Sequence, residues 1–132
     1  MNAGTATARS TSKMVWAGRI VSGIVVLFLI AGSTYGIIKH AEMAPEMARM
    51  GYPEGIGIKI SITCILCALI YAFPRTAVLG AILLTGYLGG ATATHVRIGE
   101  PFFVPILVAV LVWGGIFLRD ARLRALIPLR RS

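Results

Sequence analysis

The stretch GYLGGATATHVRIGEP, running from Gly86 to Pro101, changes character midway. It opens as apolar helix, with Gly86 and Gly90 four apart and Ala93 and Thr94 following. Small residues at that spacing let a neighbouring helix backbone come close inside a membrane, where van der Waals packing drives association. His95, Arg97 and Glu100 then arrive together, and Pro101 is placed to stop the helix. One segment therefore carries a packing face and, at its end, the densest polar cluster of the chain.

The sequence around it is built of similar apolar blocks. Its 132 residues make room for one domain, and 57% of them are hydrophobic against 14% charged. A mean hydropathy of +0.82 lies well outside the usual soluble range. Bounded by charges or His, the blocks are Ile20 to Ile38, Ile60 to Pro74, Thr76 to Thr94, and Pro101 to Leu118. A helix crosses the hydrocarbon core with about 20 residues. The second block reaches that length when it starts near Gly55 and Lys59 snorkels to the interface. The expectation is an all-α integral membrane protein, an antiparallel bundle of four transmembrane helices.

A net charge of +8 raises nucleic acid as a partner, so the placement of the charges has to decide. Four spans put both termini on one side, with Arg9, Lys13, Arg19, Arg75, Arg119, Arg122, Arg124, Arg130 and Arg131. The opposite side keeps Lys39, Arg49, Lys59 and Arg97 together with Glu42, Glu46, Glu54 and Glu100. The positive-inside rule then makes both termini cytoplasmic. The basic tail suits anionic lipid head groups rather than nucleic acid.

Residues 1–13 hold no acid and no large apolar side chain, and are expected to form a disordered cytoplasmic tail. A signal peptide is the rival reading, but the run from Ile20 to Ile38 is too long for one and lacks a convincing cleavage site. Residues 14–118 form the bundle, and residues 119–132 a basic tail with the look of an interfacial helix. Between Lys39 and Glu54, Met43, Met47 and Met50 share one face, while Glu42, Glu46 and Arg49 share another. That pattern predicts a short amphipathic helix in the first outer loop, with Pro45 in its first turn and Gly51 at its C-terminal cap. A Gly51-Tyr52-Pro53 turn then returns the chain to the bilayer.

This turn after the first span, followed by GYLGGATATHVRIGEP at the third, resembles the DoxX-like family of small bacterial membrane proteins. The resemblance runs from about Val15 to Leu118, and its most specific element is Tyr87 to Arg97. It implies a four-helix bundle in the cytoplasmic membrane. It also implies a link to redox systems, since the family is named after a membrane subunit of a thiosulfate:quinone oxidoreductase. Other members are similar to partners of thiol-stress and superoxide-handling enzymes. The family offers no agreed set of catalytic residues to carry over.

Two constellations carry chemistry. Cys64 and Cys67 sit at i and i+3 inside the second span, so both sulfurs share a helix face. Such a pair can exchange electrons with a quinone once one thiol ionises, as in the vitamin K epoxide reductase family. Apolar surroundings work against ionisation, and no second cysteine pair exists to relay electrons, so small apolar filler is the competing reading. The second constellation is at the outer mouth. His40 and His95 end the odd-numbered spans, with Arg97, Glu100, Glu42, Glu46, Glu54 and Lys59 at the same level. Metal binding, proton handling for a quinone, and a structural ion-pair network are the three readings of that cluster.

The first function expected is an accessory or membrane-anchor subunit of a redox system, binding quinone or another apolar small molecule near the outer face. His95 and Arg97, with His40, Glu46, Tyr52, Tyr87 and Glu100, are its candidate ligand-binding residues, and the Cys64 face would line the apolar part. The second is a thiol–quinone oxidoreductase using Cys64 and Cys67. The third is a lipid or apolar-solute binder without a redox role. Membrane lipid is the expected surrounding, and a redox enzyme or a second copy of the chain the expected protein partner.

Overall fold

The structure, a computed structural model, describes the backbone of residues 3–129 and the side chains of residues 12–129. It is all-helical among the described residues. Helix α1 spans Ala3–Ile38, α2 His40–Arg49, α3 Ile56–Ala72, α4 Ala77–Arg97, α5 Phe103–Arg119 and α6 Ala121–Arg124, with a 3-10 turn at Pro74–Thr76 between α3 and α4. Four of these pack into a closed ring in the order α1, α3, α4, α5, with α5 back against α1. Helix α2 lies on the end formed by α1 and α3.

The bundle is small inside and apolar outside. Its centre holds Cys64, Ala68, Ala81, Leu84, Val112 and Ile116, with Tyr71 as the largest fully buried side chain. Facing outward are Ile24, Leu27 and Phe28 of α1, Leu66 of α3, Ile82 of α4 and Val110 of α5. A soluble bundle puts its large apolar side chains inside; this arrangement fits a solvent that is itself hydrocarbon. Ser12–Ile38 and Pro74–Arg97 are long and apolar enough to cross a membrane, and Ile56–Ala72 and Phe103–Arg119 are shorter apolar helices.

Close contacts fix the ring at the end away from α2. The backbone of α4 at Gly80 lies directly on Tyr71 of α3, where a Cβ would overlap the Tyr71 backbone. The Tyr71 hydroxyl donates to the Val112 carbonyl at 2.7 Å and accepts from the Ser22 hydroxyl at 3.0 Å, tying α1, α3 and α5 together. Gly115 makes room for this node, since a Cβ there would run into Ser22 and the Tyr71 hydroxyl.

Several expectations change. The first helix starts at Ala3, not after Lys13: the residues expected to be a disordered tail continue α1, as a proline-free stretch containing Ala3, Ala6 and Ala8 can. Arg130, Arg131 and Ser132 of the tail lie outside the described residues. The rest of that tail is helical only over Ala121–Arg124, where Asp120 caps the turn by accepting from the Arg122 amide at 2.9 Å. Pro45 falls inside α2 and not in its first turn, because α2 begins at His40 directly after α1. Helix α4 ends at Arg97, ahead of Pro101. What stops it is Gly99 at φ +72, with Gly99 bonded back to the Val96 carbonyl at 3.2 Å and Glu100 to that of His95 at 3.0 Å. Gly51 at φ +86 ends α2 the same way, through bonds to Ala48 and Met47 at 3.0 Å each. Both are left-handed glycine caps that satisfy carbonyls the helix leaves open.

Candidate functional site

One feature that could hold a ligand is a cavity of about 490 Å³ between the N-terminal half of α3 and the C-terminal half of α4, beneath α2. Helix α4 makes its floor from Gly86 and Gly90, and α3 its apolar wall from Ile56 and Ile60. Met47 and Met50 of α2 close it above, because the Met row faces the bundle. Among its lining residues Tyr52, Thr94, His95, Thr63 and Lys59 carry polar side chains, and Tyr87 adds a ring.

The glycines that the sequence suggests as a packing face therefore have another part. A Cβ at Gly86, Gly89 or Gly90 would meet nothing within 4 Å. Among the described residues no other helix comes close to them; they leave hollows. Gly89 opens onto a second groove, of about 590 Å³, between α4 and α5. There the Trp113 indole donates to the Thr85 hydroxyl at 2.7 Å.

Of the residues named from sequence, His95, Tyr52 and Tyr87 border the cavity. The Tyr52 hydroxyl lies 2.6 Å from that of Thr94, which donates to the Gly90 carbonyl at 2.9 Å. His95 turns Nδ1 to the Ala91 carbonyl at 2.7 Å. His40 is not part of the cavity: it is exposed at the start of α2, with Nδ1 2.9 Å from the Ile37 carbonyl. Cys64 and Cys67 are buried free thiols inside the bundle and do not form the cavity wall, which α3 builds from the neighbouring Ile60 and Thr63. Tyr87 sits between, with its hydroxyl beside Cys64.

The remaining charges act as braces around the cavity. Arg49 of α2 binds Glu46 on its own helix and reaches Glu100 in the link between α4 and α5. The hydrogen bond from Arg49 holds the Glu46 carboxyl below its ordinary range, and the two carboxylates together raise the Arg49 guanidinium further above its own. Arg97 donates to the Met50 carbonyl at 3.4 Å, across the Gly51 cap. These contacts clamp α2 over the cavity. Among the described residues no group of three or more His, Cys, Asp or Glu side chains converges as a metal site requires.

The clamp has a measurable pH dependence. A carboxyl whose folded pKa is depressed contributes above its ordinary value, 4.5 for Glu46, and loses that contribution as pH falls through the lowered value. Amide exchange across residues 40–49 should be flat from pH 8 to 5 after correction for intrinsic rates, and accelerate only in stronger acid. In Arg49→Gln the protection should be reduced at neutral pH as well, with α3 to α5 unaffected.

Sequence reading places Lys59 in the outer cluster without naming it a ligand residue, and passes over Met47, Met50 and Thr63 as cavity residues and Arg49 as the bridging cation. The Met row is the one visible signal, since it marks the face of α2 turned to the bundle.

Four apolar-faced helices around a small-residue core, with a loop helix over an apolar cavity, define a small helical membrane protein. The chain belongs to the DoxX-like family, whose sequence profile matches residues 20–115. No curated protein and no solved structure matches it.

Proposed function

We propose that this DoxX-like protein crosses the bacterial cytoplasmic membrane four times, with both termini cytoplasmic, and holds an apolar small molecule, such as a quinone, in the cavity beneath α2. In this reading it serves a redox system as an accessory or anchor subunit. The observation that carries the binding role is the cavity itself. Its walls are largely apolar, Tyr52, Lys59, Thr94 and His95 bring polar groups to its α2 end, and two glycines keep its floor clear. Ligand sites have this composition and this order of volume. The apolar exteriors of α3 and α5 support their counting as spans, since at about 1.5 Å per residue they cover most of the hydrocarbon core and their flanking links can supply the rest.

The thiol–quinone oxidoreductase gains nothing from this geometry, because Cys64 and Cys67 lie behind the wall and a thiol must reach its oxidant. Gly90→Leu tests the binding role. The added side chain has free space and should enter the cavity, leaving the bundle folded but displacing its occupant. Mass spectrometry of the protein purified in mild detergent should find a stoichiometric small molecule in the wild type and lose it in Gly90→Leu. Equal retention in both would refute the site. Bulk phospholipid alone in both would leave the lipid-binding reading in its place.

A further inference from the structure

We infer that the cavity beneath α2 selects a ligand head that donates a hydrogen bond: a phenolic or hydroquinone hydroxyl carried on an apolar body. This rests on the cavity being the binding site proposed above. The protons at the cavity lead to it. The Thr94 hydroxyl donates to the Gly90 carbonyl, so in its 2.6 Å contact with Tyr52 it accepts, and the only Tyr52 proton is used there. The Thr63 hydroxyl proton goes to the Lys59 carbonyl at 2.8 Å. His95 Nδ1 faces the Ala91 carbonyl, which can only accept, so Nδ1 carries the hydrogen. The Nε2 of a neutral His95 is then a bare lone pair.

With the Tyr87 hydroxyl turned to Cys64, what these groups leave for a ligand is a set of acceptors, Nε2 of His95 and the Tyr52 and Thr63 oxygens, against the Lys59 ammonium as donor. Among the described residues no carboxylate borders the cavity, and Glu46 and Glu100 are both held by Arg49. A carbonyl head would have Lys59 as partner and would oppose the lone pairs of the other groups. A hydroxyl can give its proton to His95 and accept from Lys59. An aromatic body suits the walls, which the Met47 and Met50 thioethers line together with the Tyr52 and Tyr87 rings. A hydroquinone should accordingly rank above its quinone.

The test uses the full-length protein in lipid nanodiscs and two probes, para-nonylphenol and its methyl ether, which differ in that one donated proton. The phenol should bind about tenfold more tightly, the usual worth of one hydrogen bond in a partly dry site. In His95→Phe, which keeps a ring and loses the lone pair, the ratio should fall to near one. Equal binding of both probes to the wild type, or a ratio that survives in His95→Phe, overturns the inference while Gly90→Leu still abolishes binding. If neither probe responds to Gly90→Leu, the cavity reading itself fails. Should His95→Phe not fold, nitrogen-15 NMR of wild-type His95 decides: the Nδ1–H tautomer is expected, and an Nε2–H tautomer overturns the inference.

Discussion

A single methyl group at position 80 is expected to cost this protein more than almost any other conservative change. The Cβ of Gly80→Ala would fall on the backbone nitrogen and Cα of Tyr71, which cannot turn aside as a side chain can. Helices α3 and α4 would have to move apart along the whole hairpin, opening contacts around Ala68, Ala81 and Leu84. Overpacking commonly costs about 1–3 kcal/mol, and a backbone-to-backbone clash belongs at or above the upper end. Gly86→Ala and Gly89→Ala supply the contrast. Their methyls have open space, so the added helix propensity should leave stability unchanged or raised by up to about 1 kcal/mol. Unfolding of the three purified variants in mixed micelles measures this directly. A Gly80→Ala protein as stable as Gly86→Ala would mean that α3 and α4 do not approach as described.

That contrast also marks the limit of what the sequence could yield. Gly86 and Gly90 and the set Ala77, Gly80 and Ala81 are both small-residue patterns at helical spacing, and both suggest packing. The period of 3.6 fixes which residues share a face but not how the helix is turned toward its neighbours. Only the packed bundle assigns one pattern to the contact with α3 and the other to a hollow. The helices themselves were legible because charges bound the apolar blocks. The outer loop helix was legible because Met43, Met47 and Met50 repeat against Glu42, Glu46 and Arg49. His40 and His95 looked equivalent because topology gives height along the bundle, not rotation about it. One borders the cavity and the other is exposed. Arg49 looked like one surface charge among several, since its reach to Glu100 depends on where two loops meet. Tyr71 carries no signal in the sequence and is the largest fully buried side chain of the bundle.

Tyr71→Ala should be the most damaging truncation in the chain. The side chain is fully buried, and removing an aromatic ring of that kind costs about 3–5 kcal/mol through lost contacts and the cavity left behind. More depends on this ring than its area. The Arg119 guanidinium lies over it at 5.6 Å, and Nε and Nη2 of Arg119 are buried with no hydrogen-bond partner among the described residues. Without the ring those atoms lose the one favourable contact the structure gives them. Tyr71→Phe separates ring from hydroxyl. It keeps the packing and the Arg119 contact but removes the links to Ser22 and Val112. Hydrogen bonds between membrane helices average about 0.6 kcal/mol, and the freed Ser22 hydroxyl can turn back to a carbonyl of its own helix. The expected loss is therefore about 1 kcal/mol or less, and Ser22→Ala should add little in the Tyr71→Phe background while costing more in the wild type. Unfolding in mixed micelles across this four-member cycle, with Tyr71→Ala alongside, gives the division. A Tyr71→Phe loss as large as that of Tyr71→Ala would shift the anchor from the ring to the hydroxyl, and make the Ser22–Tyr71–Val112 link the element that closes α1, α3 and α5 into a ring.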